Sequence, residues 1–366
     1  DITNAADRNL LTLQIRSPQV LSRFPNLANP DSVYPGFPNT STLIQALRPH
    51  PQWNGVPPFL GPPLGDTWYD SLQAKVTKRY SHGLTVQSAF TWQKELALGT
   101  GADTSYLTPS PTLINDVFNY AQNKQISGFS RPLMLVIAAN YTTPGFNGGG
   151  TGFKVLSSIV QDWTFGSVLR YQSGQVIRVP ASNNNLLNQL GRGPANNPAL
   201  WGGGTTYWNR VPGQPLFLKD PNCHCIDPTK DLVLNKDAWT DAAPGQFATS
   251  APYYNDYRWQ RQPAESMSLG RNFVINRERS IKLQVRAEFQ NVFNRLFLAS
   301  PIFGTTATGV NTTSVNAAAP STRDGFGRLQ SGFGYVNWVN GGNSTATSQT
   351  AGAQPRSGQI VARLTF

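Results

Sequence analysis

The stretch SIKLQVRAEFQNVF, residues 280–293, constrains the fold more than any other part of the chain. Ile281, Leu283, Val285, Ala287 and Phe289 are apolar, and between them lie Lys282, Gln284, Arg286 and Glu288. Side chains alternate across a strand with period two, so this is an amphipathic β-strand with one greasy and one charged face. The alternation holds from Ser280 through Gln290. Strands in water-soluble domains usually run about 5–6 residues, whereas a tilted strand crossing a bilayer needs roughly 9–11. The length favours a greasy face against lipid and a charged face on a wet lumen.

Composition narrows the field. Only 13% of residues are charged, and Gly, Pro and uncharged polar residues dilute the apolar ones, which suits strands joined by long loops. The longest apolar run, Leu133–Ala139, is far short of the roughly 18 residues of a spanning helix, so a helical membrane protein is excluded. A strand barrel is not, because its signal is alternation in short segments. The chain opens on a polar stretch at Asp1 with no leader-like apolar core, and is expected to be a mature product or a piece of a longer one. The net charge of +11 is scattered, with Lys75, Lys78 and Arg79 as the one dense group near a strand, so a solvated or lumenal positive surface is expected and nucleic acid is not.

Along the chain, residues 1–65 are Pro-rich and loop-like, with one short strand expected at Leu10–Ile15. Residues 66–366 carry the strands. The periodicity predicts a hairpin from 67–80 through a turn at 81–83 to 84–93, and a second pair at 132–141 and 162–174 joined by the Gly-rich 146–152. A third pair runs from 265–275 into the opening strand, and SGQIVARLTF closes the chain. Low-complexity stretches at 175–260 and 299–355 separate the pairs. Structureless loops of that size are rare in compact soluble domains but common at one end of outer-membrane barrels.

Candidate functional residues follow from this pattern. Trp68, Tyr80, Trp92, Trp163 and Tyr171 stand near strand ends, where aromatic girdles meet head groups. Cys223, His224 and Cys225 carry good metal-ligand atoms, but no second Cys/His pair completes a four-ligand set, so a local disulfide staple is expected first, reduced or intermolecular cysteines second and a metal site last. His50, His82 and His224 have no neighbouring nucleophile or carboxylate pattern, and no catalysis or cofactor is expected.

The segments YDSLQAKVTKRYSHGLTVQSAFTWQKEL, ISGFSRPLMLVIAANYTTP, DWTFGSVLRYQSGQ, SLGRNFVIN and LQVRAEFQNVFNR, with the closing strand on Phe366, together resemble the C-terminal barrel half of TonB-dependent outer-membrane receptors. The similarity is greatest to Oar-like receptors with a carboxypeptidase-regulatory-like domain, common in acidobacteria. The resemblance implies an all-β, antiparallel transmembrane barrel of 22 strands, with long external loops and short periplasmic turns, in a Gram-negative outer membrane. It also implies uptake of a small solute driven by the TonB complex through a plug domain that this sequence does not show. Ile360, Ala362, Leu364 and Phe366 match the family's signal for the barrel-assembly machinery. About 8–10 strands are legible here by the strand criteria. A plug-free porin or adhesin barrel, and a secreted carbohydrate-binding β-sandwich, remain as alternatives.

Overall fold

The computed structural model describes residues 4–53, 66–98, 119–145, 151–180, 207–243, 246–276, 281–295, 297–298, 321–336 and 355–366. In chain order the strands are β1 (Asp66–Ser81), β2 (Leu84–Leu98), β3 (Gln125–Ile126), β4 (Leu133–Thr142), β5 (Trp163–Gln172), β6 (Val176–Arg178), β7 (Asn209–Arg210), β8 (Trp239–Thr240), β9 (Tyr253–Arg258), β10 (Ala264–Asn276), β11 (Ile281–Gln290) and β12 (Ser357–Thr365). One sheet dominates, ordered β1-β2-β4-β5-β10-β11-β12, with the short β3 beside β2. Its pairings are all antiparallel, so the long strands form a meander.

The strands form where the alternation runs, and their ends are marked by turn chemistry. His82 and Gly83 both have positive φ, the conformation of a tight hairpin turn. Gly83 is required twice over, because a Cβ there would stand 2.1 Å from the Thr142 carbonyl oxygen. β1 spans 16 residues and β2 15, more than the roughly 9–11 that cross a bilayer, so this hairpin extends past its neighbours. Leu133, the first residue of β4, pairs with Trp92 in the interior of β2, and Trp163, the first of β5, pairs with Arg271 in the interior of β10. Such a stagger accompanies strand tilt in rolled sheets.

The pairing also sorts the connections. The strand ends at Ser81/Leu84, Thr142/Trp163, Asn276/Ile281 and Thr365 fall together at one end of the sheet, and the long connections leave from the other. At the short-connection end, the expected Gly-rich turn at 146–152 is corrected in part. Residues 146–150 lie outside the described set, and α4 (Thr151–Val160) follows them.

Two further expectations are overturned. Residues 10–15 do not form a strand: α1 (Ala5–Thr12) covers Leu10 and Leu11, and only Gln14 makes an isolated bridge, to Thr42. The helix is favoured by Asn4, whose side chain accepts from the Ala6 N–H at 2.8 Å as an N-cap. With α2 (Pro18–Arg23) and α3 (Leu43–Ala46) it encloses a small core of Ile15, Val20, Leu27, Phe37 and Leu43.

Nor are the described residues of 175–260 structureless. Ile177, Val179, Tyr207, Trp208, Leu216, Val233, Leu234, Trp239, Tyr257 and Trp259 are buried together, and Phe333 and Val336 from the later long connection join them. Val233 N–H donates to the Gly334 carbonyl at 3.0 Å, fastening the two connections to each other. This folded cap stands at the long-connection end. Its aromatic and aliphatic side chains are spaced without period, so the amount of apolar surface was visible in the sequence but its partners were not.

Candidate functional site

Residues opposite each other across an antiparallel pair share a face. Ile281, Leu283, Val285, Ala287 and Phe289 therefore lie with Leu269, Phe273, Ile360, Ala362 and Leu364, and through β5, β4 and β2 with Phe165, Leu169, Ile137, Leu135, Phe90 and Leu72. Many stand open: Leu72 is 59% exposed and Val76 66%. No second layer covers this face among the described residues, so the sandwich alternative has no opposing sheet.

Lys282, Gln284, Arg286 and Glu288 lie on the other face, opposite Thr365, Arg363, Val361 and Gln359. Arg286 pairs with Glu288 on the same strand, and Gln359 Nε2 donates to Glu288 Oε2 at 2.7 Å. This polar face is concave. Thr85 of β2 and Gln359 of β12, which do not neighbour in the sheet, line one trough of about 650 Å³ with Asn140, Ser268 and Glu288. Small residues at the centre of the face permit the roll: a Cβ on Gly166 would stand 2.5 Å from Ser268 Oγ.

The aromatic residues fall unevenly on the apolar face. Trp163 and Tyr171 lie eight residues apart on β5, about 26 Å along a strand rising ~3.3 Å per residue. At a tilt of ~40° this spans about 20 Å of height, close to the ~25 Å apolar band of outer-membrane barrels. Tyr80, Tyr141 and Trp163 are at the short-connection end. Trp92 is level with Leu72 and Leu133, but Trp68 sits four residues farther up β1, about 13 Å away, beneath the Lys124 ammonium at 3.8 Å.

Glu265 and Arg271, like Asp70, Lys78 and Lys94, are charged residues that the pairing puts on the apolar face. Arg271 lies opposite Trp163, with its guanidinium carbon 5.6 Å from that ring and 5.0 Å from the Phe273 ring. Glu265, opposite Leu169, is buried and receives Arg295 Nε at 2.9 Å. The signal was present, since the face Glu265, Met267, Leu269, Arg271, Phe273, Ile275 is apolar between two charges.

Where the cap meets the sheet, Arg258 donates to the Ser130 carbonyl at 2.7 Å and the Gly174 carbonyl at 3.2 Å, while Arg131 donates to the Ser173 carbonyl at 3.2 Å. Burial, then the neighbouring charge of Arg131, pulls the Arg258 guanidinium down to about 10. Burial and then Arg170 likewise lower Arg131. Among the described residues no carboxylate pairs with these three arginines. Beside them a cavity of about 890 Å³ is lined by Trp92, Lys94, Lys124, Gln125 and Tyr253. The buried Gln125 amide has no protein hydrogen bond on either atom.

Cys223 and Cys225 are joined to each other, which leaves no thiolate for a metal, and His224 between them has φ of 52°. No group of three metal-ligating side chains occurs among the described residues. His50, His82 and His224 stand in the helical segment, the hairpin turn and the disulfide loop, on separate elements.

One rolled antiparallel sheet, polar within and apolar without, defines an outer-membrane β-barrel protein. Residues 17–334 match the model of the outer membrane beta barrel domain family, and the chain belongs to that family. An outer-membrane location follows from the membership. No curated protein and no solved structure matches the chain. No described helix is long and apolar enough to cross a membrane.

Proposed function

We propose that the chain is barrel wall from a TonB-dependent receptor of the Oar-like type, importing a small solute across a Gram-negative outer membrane. The observation that carries this reading is the open, rolled sheet: β1 and β12 each have one unpaired edge among the described residues, and the folded cap stands over one end. A sheet this wide and still open fits a large barrel, and barrels of about 22 strands are the plugged transporters. Exposed edges of this length need a partner strand.

In this reading Ile281, Leu283, Val285, Ala287 and Phe289 face lipid, while Lys282, Gln284, Arg286 and Glu288 line the lumen. Ile360, Ala362, Leu364 and Phe366 present the closing strand to the barrel-assembly machinery. Arg131, Arg170 and Arg258 give the mouth a positive field that favours anionic solutes. The plug, supplied from outside this sequence, would contact TonB. No catalytic residue or cofactor is assigned.

Conductance tests the proposal. The purified full-length gene product, reconstituted in planar bilayers, is expected to show no steady current until urea loosens a plug, and to cross-link to TonB in cells. A steady open channel in the untreated protein, without TonB contact, would establish the plug-free porin instead.

A further inference from the structure

α4 stands at the short-connection end, where strand pairs in such barrels are joined by brief turns. A ten-residue helix is marginal in isolation, so something fixes it here. Its C-terminal turn is fastened to the sheet. Thr143 Oγ1 donates to the Val160 carbonyl, and the Trp163 indole N–H donates to the Ile159 carbonyl at 2.7 Å. Trp163 belongs to the apolar face, so the helix terminates on the side of the sheet that lipid contacts.

The helix has two different stripes. Ser157 is buried against its own connection, its hydroxyl donating to Gln161 Oε1 at 3.3 Å. Val155 and Ile159, one turn apart and on the opposite side, are 55% and 56% exposed. The tether sets the helix beside the lower border of the apolar face, which carries Tyr141 and Trp163. Aromatic rings at one level match the boundary between acyl chains and phospholipid head groups. Because the tether holds the helix there, it requires little affinity of its own.

We propose that α4 is an interfacial anchor lying in the head-group layer of the periplasmic leaflet, with Val155 and Ile159 inserted among phospholipid acyl chains. The assignment rests on the lipid-facing orientation given under the proposed function. The occupant is phospholipid because the helix is tethered, through its Ile159 carbonyl, to the Trp163 indole on the apolar sheet face.

The test uses the full-length protein in vesicles of phosphatidylethanolamine and phosphatidylglycerol. Val155→Cys and Ile159→Cys carry a polarity-sensitive fluorophore, with Val285→Cys and Gln284→Cys as lipid-side and lumen-side references. Quenching by shallow lipid-borne nitroxides at both helix positions, at a depth of about 5–10 Å, is expected. Quenching by aqueous iodide alone, while Val285→Cys responds to lipid, overturns the anchor and leaves the barrel orientation standing. Insensitivity to both quenchers means that protein covers the helix, and overturns it too. If Val285→Cys itself ignores lipid, the orientation fails and the anchor falls with it.

Discussion

Arg295 Nε lies 2.9 Å from Glu265 Oε2, and it meets a carboxylate that is buried on the apolar side of β10. Removing one partner strands a desolvated charge, which costs ~3–5 kcal/mol for fully buried pairs and less here, because Arg295 is half-open to solvent. Arg295→Met should lower stability by about 2 kcal/mol, and adding Glu265→Leu should restore most of it. Urea unfolding of vesicle-inserted protein, followed by Trp fluorescence, measures both. An undiminished midpoint in the single variant would show that the pair contributes nothing.

Val285 is at the centre of β11, opposite Arg271 and Ala362. Val285→Arg should cost roughly 2–4 kcal/mol if that face meets lipid near the midplane, whereas Gln284→Arg should be nearly neutral. The same titration decides. Equal effects at both positions would mean that the two faces see the same solvent.

Gly334 has φ of +83°, and a Cβ there would stand 2.4 Å from the Leu234 amide nitrogen. Gly334→Ala should therefore cost about 1–3 kcal/mol of local stability. Hydrogen exchange should quicken at Val233, which donates to Gly334, while the strands keep their protection. Unaltered exchange at Val233 would remove the steric argument.

Asp231 accepts from Lys219 Nζ at 2.7 Å, and this bond is the main reason its carboxyl sits below the usual range. The Thr229 hydroxyl does the same for Asp227. A depressed folded value gives stabilisation that is present above the unfolded value near ~3.9 and lost as pH falls through the folded one. Exchange in residues 227–235 should thus be unchanged between about pH 7 and pH 5 after correction for intrinsic rates, and rise only below about pH 4. A rise already at pH 5 would point to other groups.

Gln125 is buried with both amide atoms unpartnered by protein beside the mouth cavity. Gln125→Leu removes a desolvated polar group and should leave stability equal or slightly higher. A loss above ~1 kcal/mol would show that the amide is satisfied by bound water that supports the fold.

The long strands were legible because alternation is a local property: β1, β2, β4, β5, β10, β11 and β12 each lie where sequence periodicity places them. α1 was missed because Leu10, Leu11 and Leu13 admit either a short strand or a helix, and Asn4 was not weighed as a cap. α4 is hidden in the sequence because the Gly-rich run at 146–152, which leads into it, carries the composition of a turn. The cap was illegible for a deeper reason. Its core gathers Ile177 with Trp239, a hydrogen bond joins Val233 to Gly334, and no local pattern encodes separations of that kind. Glu265 and Arg271 were readable as charges bracketing an apolar face, but Arg295, the partner of Glu265, arrives from beyond the next strand.

The shared core of the cap limits how such a surface can be varied. Residues 207–259 supply most of it, and Phe333 and Val336 complete it from a separate loop. Grafting either loop alone onto a related barrel would leave the hydrophobic core incomplete and open to water, so the two loops must be exchanged as one unit.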